Sequence, residues 1–156
     1  YNREKAVAYA HEWAFRRNPR YLNFDGIGGD CTNFISQCLH AGGAPMNHQK
    51  TFGWYYDSAS NRAPAWTGVQ YLYHFLVKEK EIGPSAVEVS LSDLLPGDVV
   101  QLSFTTGVFG HSLLVVDTTP HATMRDILIA THTLDSDYRP LSTYVAVGYR
   151  FLNIVV

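Results

Sequence analysis

GGDCTNFISQCLHAGG, residues 28–43, reads as a helix fenced by glycines with a cysteine in its first turn. Gly28 and Gly29 permit a tight backbone approach, and Asp30 is a favoured N-cap residue. Gly42 and Gly43 supply a stop. From Cys31 the apolar residues Phe34, Ile35, Cys38 and Leu39 follow helical spacing and turn one face to a core. Cys31 itself falls where unpaired N–H groups and the helix dipole favour an anion. That environment is expected to lower a thiol pKa and yield a nucleophilic thiolate. Cys38 lies mid-helix on the apolar face and reads as a small core residue. The two thiols cannot pair: two helical turns hold them about 10 Å apart along the axis, and a disulfide needs Cα atoms within about 7 Å.

On the N-terminal side, residues 2–17 carry Ala6, Tyr9, Ala10, Trp13 and Ala14 at helical spacing, and Asn18-Pro19 ends that helix. Residues 20–29 form an irregular approach to the cysteine helix, with Tyr21, Asn23 and Asp25 as polar groups for its mouth. On the C-terminal side, residues 44–66 show no period but hold Trp54, Tyr55, Tyr56 and Trp66. A long aperiodic stretch is either a binding loop or an aromatic cover for the core. The first reading puts Trp54 and Tyr55 beside the substrate cleft. A further helix is expected over residues 68–80 with Thr67 as N-cap. Then the pattern turns to strands. Leu95-Pro96-Gly97-Asp98 fits a type II turn that launches a strand over residues 99–102. Further strands are expected over residues 111–117, 127–132 and 144–151. Helices followed by strands predict an α+β domain over residues 1–156, with N-terminal helices packed on a C-terminal antiparallel sheet.

Composition narrows the function classes. With 12 basic and 14 acidic residues and a formal charge of -2, no basic stripe marks a nucleic-acid binder. A hydrophobic share of 46% supports a globular core. No apolar run reaches the length of a membrane span, and no signal peptide is present. The chain opens within a helix at Tyr1, as a segment of a longer protein would. Nothing in it specifies an oligomeric state.

A cysteine nucleophile needs a base, ordinarily histidine, and the base needs a group to orient it. Of the seven histidines, His11, His40, His48 and His74 fall on helices or in the aperiodic stretch, and His121 in a polar turn. His111 opens one strand-like run and His132 closes the next, so an antiparallel pairing brings both to one edge of the sheet.

The runs GGDCTNFISQCLHAGG, LLPGDVVQL, GHSLLVVD and THTLDSDYRPLS resemble the putative amidase domain family, found mainly in Gram-positive bacteria. That family is placed with the papain-like superfamily that also holds the NlpC-type and CHAP cell-wall peptidases. The resemblance runs from Asn2 to about Phe151 and implies a papain-like fold. It matches Cys31 to the nucleophile, His111 to the general base and His132 to the third, polar residue. It further implies acyl transfer from a peptide amide to the Cys31 sulfur, plausibly in peptidoglycan, with no cofactor and no metal, outside the cell or at the cell wall. The Cys31 N–H and a side chain from the approach, Tyr21 or Asn23, would receive the oxyanion. Two other readings compete: a zinc hydrolase using Cys31, His111 and His132, and a cell-wall binding module without turnover. For the group that orients His111, Asp117 is rejected, because the strand between them spans about 20 Å. His132 is preferred over Asp135.

Overall fold

The helical period near the N-terminus is realised as α1 (Arg3–Trp13) in the computed structural model, which describes residues 1–156. The Asn2 side chain caps α1 by accepting from the Lys5 N–H at 3.0 Å. The cysteine helix is α2 (Cys31–Ala41), buried along nearly its whole length. Next come a two-stranded hairpin, β1 (Tyr56–Ser58) and β2 (Asn61–Arg62), a short α3 (Pro64–Thr67) and α4 (Val69–Val77). The helix expected over residues 68–80 is therefore shorter. Gly68 rather than Thr67 caps it, because Thr67 ends α3.

The rest of the chain is mostly strand: β3 (Ser85–Glu88), β4 (Val99–Thr105), β5 (Val108–Asp117), β6 (Leu128–Thr131), β7 (Ser136–Pro140) and β8 (Gly148–Val155). They form one antiparallel sheet in the order β3-β8-β4-β5-β6-β7. The architecture is thus α+β, with helices near the N-terminus and an antiparallel sheet in the C-terminal half. The strand expected over residues 144–151 begins at Gly148 instead. Val145 and Val147 carry the strand-like alternation, but both are exposed and stand in a loop.

The sheet has a core on each face. Val99, Leu114, Val116, Ala130, Leu152 and Ile154 pack with α2, α3 and α4. Val100, Leu102, Leu113, Val115 and Ile129 pack on the other face against Leu94, Ala122, Ile127 and Leu141, which come from connecting segments. Period-two alternation along β4 and β5 divides the residues this way. Each fully buried aliphatic side chain contributes about 1.5–3 kcal/mol.

The Pro-Gly-Asp turn anchors both ends of the fold. Gly97 has φ of +91°, as the third position of a type II turn requires, and the Asp98 N–H donates to the Leu95 carbonyl at 3.0 Å. The wholly buried Asp98 carboxylate receives Arg3 at 2.7 Å, the Ile154 N–H at 2.9 Å and the Asn153 side chain at 3.0 Å. One carboxylate thereby ties α1 to β4 and to β8. No helix is long and apolar enough to cross a membrane.

Candidate active site

Cys31 opens α2, preceded by two glycines in left-handed conformation, Gly28 at φ +96° and Gly29 at φ +99°. No Cβ is tolerated cheaply at such angles, so the glycine pair sets how the chain enters the helix. Asp30 makes no side-chain cap. Its buried carboxylate instead accepts the Phe24 N–H at 2.8 Å, the Asn33 side chain at 3.0 Å and His132 Nδ1 at 2.5 Å. Arg17 Nε lies 3.4 Å away. Burial works to raise the Asp30 carboxyl, but the bonds from His132, Phe24 and Asn33 outweigh it and hold it below its ordinary value. These bonds fasten the approach segment to the first turn of α2.

The Cys31 thiol is only 7% exposed. Burial pushes its pKa up, against the opposing pull of the Ser112 amide, the Thr32 hydroxyl and the first-turn amides of α2. The expected low-pKa thiolate is therefore corrected: the helix start is too dry for its dipole to win. Cys38 is wholly buried and its thiol is raised further. Ser112 is the residue after His111, so the middle of β5 lies against the first turn of α2. Thr32 Oγ1 and Ser112 Oγ, 3.0 Å apart, fix that contact.

His111 is likewise 7% exposed, and its pKa is lowered to about 4, by burial first and by the neighbouring Arg139 charge second. Its ring lies 5.8 Å from the Tyr144 ring and 6.3 Å from that of Phe104. No side chain hydrogen-bonds it. In the free protein at neutral pH the Cys31 thiol and the His111 imidazole are both uncharged.

His132 does not sit beside the His111 ring, and this expectation is overturned. Its Nδ1 donates to Asp30, its Nε2 donates to the Trp13 carbonyl at 2.8 Å, and its ring stacks on Phe34 at 4.0 Å. The reason is strand parity. Leu114 pairs with Ala130, so the register carried two residues further sets Ser112, not His111, opposite His132. Ser112 meets α2 through Thr32, and His132 follows it to that face, where Asp30 and Phe34 hold its ring. Asp135 does not serve His111 either, since Arg17 holds both its oxygens at 2.9 Å. The zinc reading falls with this geometry: both His132 nitrogens are committed, and no trio of His, Cys, Asp or Glu is arranged to hold a metal ion.

The expected cleft residues also move. Trp54 is wholly buried, donating its indole N–H to Ser36 Oγ at 3.0 Å and packing on Trp66 at 4.7 Å. It is core, not lid. Tyr55 stacks on His48 at 4.8 Å, and Tyr21 packs on Tyr56 and Trp66. Asn23 accepts the Asp25 N–H in a local turn at 2.9 Å. None of these four hydrogen-bonds Cys31 or His111. Tyr144 and Arg139 stand next to His111 instead. No motif announces them, because their place depends on how β6 and β7 fold back on the sheet.

A family model described as "Putative amidase domain" matches residues 1–154. The uncharacterized protein YhbB of Bacillus subtilis strain 168 is 42% identical over 120 residues, which cover 74% of this chain and 37% of YhbB. The uncharacterized protein YjcM of the same strain is 26% identical over 123 residues, covering 74% of this chain and 27% of YjcM. The chain spans well under half the length of either relative. No solved structure matches it.

Proposed function

The chain belongs to the putative amidase domain family, and from that premise we propose that it is a cysteine-dependent amide hydrolase on a papain-like architecture, with Cys31 as nucleophile and His111 as base. The observation that carries this reading is the closure of β5 on the first turn of α2, where Thr32 Oγ1 and Ser112 Oγ meet at 3.0 Å, each one residue after a proposed catalytic side chain. The neutral His111 imidazole takes the thiol proton as sulfur attacks the amide carbon. The carbonyl π pair moves to oxygen. The C–N bond then breaks, and the imidazolium returns the proton to the departing amine. Water, activated by the regenerated imidazole, hydrolyses the thioester. A neutral pair suits this route, because the proton moves with the attack instead of before it.

The substrate class is proposed as a peptide amide in bacterial peptidoglycan, and the site of action as the cell wall or the extracellular space. The sequence resemblance to cell-wall peptidases supports this. Mass analysis of purified peptidoglycan after digestion, with Cys31→Ala beside the parent, tests it. New muropeptide fragments from the parent alone are expected. Intact muropeptides from both would remove peptidoglycan as substrate, and identical fragments from both would remove Cys31 as nucleophile.

A further inference from the structure

A row of polar side chains crosses the middle of the sheet on its helix side. Arg150 on β8 pairs with Gln101 on β4, and Gln101 pairs with Ser112 on β5. Their strand neighbours Leu152, Val99 and Leu114 pack in the helix-side core, and alternation puts the row on that same face. Gln101 and Ser112 are wholly buried, and Thr32, which meets Ser112 from α2, is 1% exposed. An amide and two hydroxyls buried where aliphatic side chains would fit cost stability, so the row calls for a reason.

The hydrogen bonds along the row run in one direction. Arg150 Nη1 donates to Gln101 Oε1 at 3.1 Å, and a guanidinium cannot accept. Gln101 Nε2 donates to the Val69 carbonyl at 3.0 Å, and a carbonyl cannot donate. Both neighbours fix the same orientation of the amide, so its second N–H donates to Ser112 Oγ at 3.3 Å. The single Ser112 hydroxyl hydrogen is then left for Thr32 Oγ1 at 3.0 Å. Thr32 Oγ1, accepting from Ser112, keeps one hydrogen of its own, and its other partner is Cys31 Sγ at 3.8 Å. The relay thus starts at a guanidinium clamped between the Tyr73 and Phe109 rings, 3.6 Å and 3.8 Å from their centroids, and ends on the sulfur.

We propose that Thr32 donates a hydrogen bond to the Cys31 sulfur as it becomes anionic during attack, and that Ser112 and Gln101 are positioning residues that aim it. This role rests on the reading of Cys31 as nucleophile. A thiol sulfur accepts weakly, whereas a charged acceptor draws its donor closer and roughly doubles the strength of the bond. The gain therefore falls on the reacting state and not on the resting one. It opposes the burial that raises the thiol, and Thr32 already pulls that way in the free protein. No proton leaves the relay: the thiol proton goes to His111, and each hydroxyl keeps its own.

The test is the pH profile of Cys31 alkylation by iodoacetamide, with peptide mapping to separate Cys31 from Cys38. Thr32→Val removes the hydroxyl at nearly constant shape and is expected to raise the midpoint by about one pH unit. Thr32→Ser keeps the hydroxyl and is expected to hold the parent midpoint. Ser112→Ala leaves the Thr32 hydroxyl in place but unaimed, and is expected to raise the midpoint by about half a unit. The charged and titratable groups around this turn, Asp30, His132, Arg17 and His111, are the same in every variant. A Thr32→Val midpoint within about 0.2 unit of the parent overturns the role. So does a Thr32→Ser midpoint raised as far as that of Thr32→Val, because shape and not the hydroxyl is then at work. Where Thr32→Val fails to fold, Ser112→Ala decides, and an unmoved midpoint there overturns the relay in any case. A parent whose Cys31 is alkylated at no pH sinks the nucleophile reading and this role together. A reactive parent with indifferent variants sinks this role alone.

Discussion

His132→Ala separates a structural histidine from a catalytic one. The substitution deletes a side chain 1% exposed, bonded to the Asp30 carboxylate at 2.5 Å and to the Trp13 carbonyl at 2.8 Å. The bond to a charged acceptor is worth about 1.5–3 kcal/mol. The vacated space against Phe34 adds about 2 kcal/mol for a ring-sized truncation that the surroundings fill only in part. Asp30 keeps the Phe24 and Asn33 donors and Arg17 nearby, so its charge is not stranded, and the larger figures for a broken buried pair do not apply. The sum is about 4 kcal/mol, or roughly a thousandfold in the folded-to-unfolded ratio. For a domain of this size that corresponds to a fall in Tm of about 8–16 °C. Urea denaturation followed by tryptophan fluorescence measures it. A His132→Ala protein within about 1 kcal/mol of the parent, with turnover lost, would refute the reasoning and restore an orienting role.

Trp54→Ala should lose about 3–5 kcal/mol in the same assay, since it empties the space beside Trp66 and removes the indole donor to Ser36 Oγ; a near-neutral loss with a raised KM would return Trp54 to the cleft. Alkylation of Cys31 should be slow at pH 6.5 and climb into the alkaline range, because burial raises the thiol; a plateau reached by pH 6.5 would contradict that. His111 is lowered from near 6.5 to about 4, so between those values the unfolded chain binds more protons than the folded one. Its contribution to stability is complete above about pH 6.5 and lost as pH falls toward 4. His111→Phe should flatten that part of the stability profile, and an unchanged slope would argue against a buried neutral ring.

Where local chemistry governs, the structure could be read from the chain. The glycine fences and the spacing of Phe34, Ile35, Cys38 and Leu39 located α2, and the Pro-Gly-Asp turn located the start of β4. The site was legible only in outline. His132 directly follows β6, but His111 is the fourth residue of the neighbouring β5 and does not open it; a single residue of register decides the face, and strand propensities do not encode it. The raised thiol pKa is not legible in the chain, because position on a helix is visible in sequence and burial is not. Trp54 has no period because it stands in a loop and answers to Ser36 on α2. Tyr144 was read as part of a strand because exposed Val145 and Val147 imitate one.

The order of strands in the sheet has a consequence for how the protein is made. β8, the last of the six strands in chain order, is not an edge strand but lies between β3 and β4. Until its eight residues leave the ribosome, β3 has no partner and β4 keeps an unpaired edge, the kind of surface that recruits foreign strands. Asp98 also waits, since two of its donors, Asn153 and the Ile154 N–H, belong to β8. Closure of the sheet is therefore expected to wait for β8 and to be paced by contacts between distant parts of the chain. Loss of a few residues before Val155 would open the middle of the sheet, not trim its border.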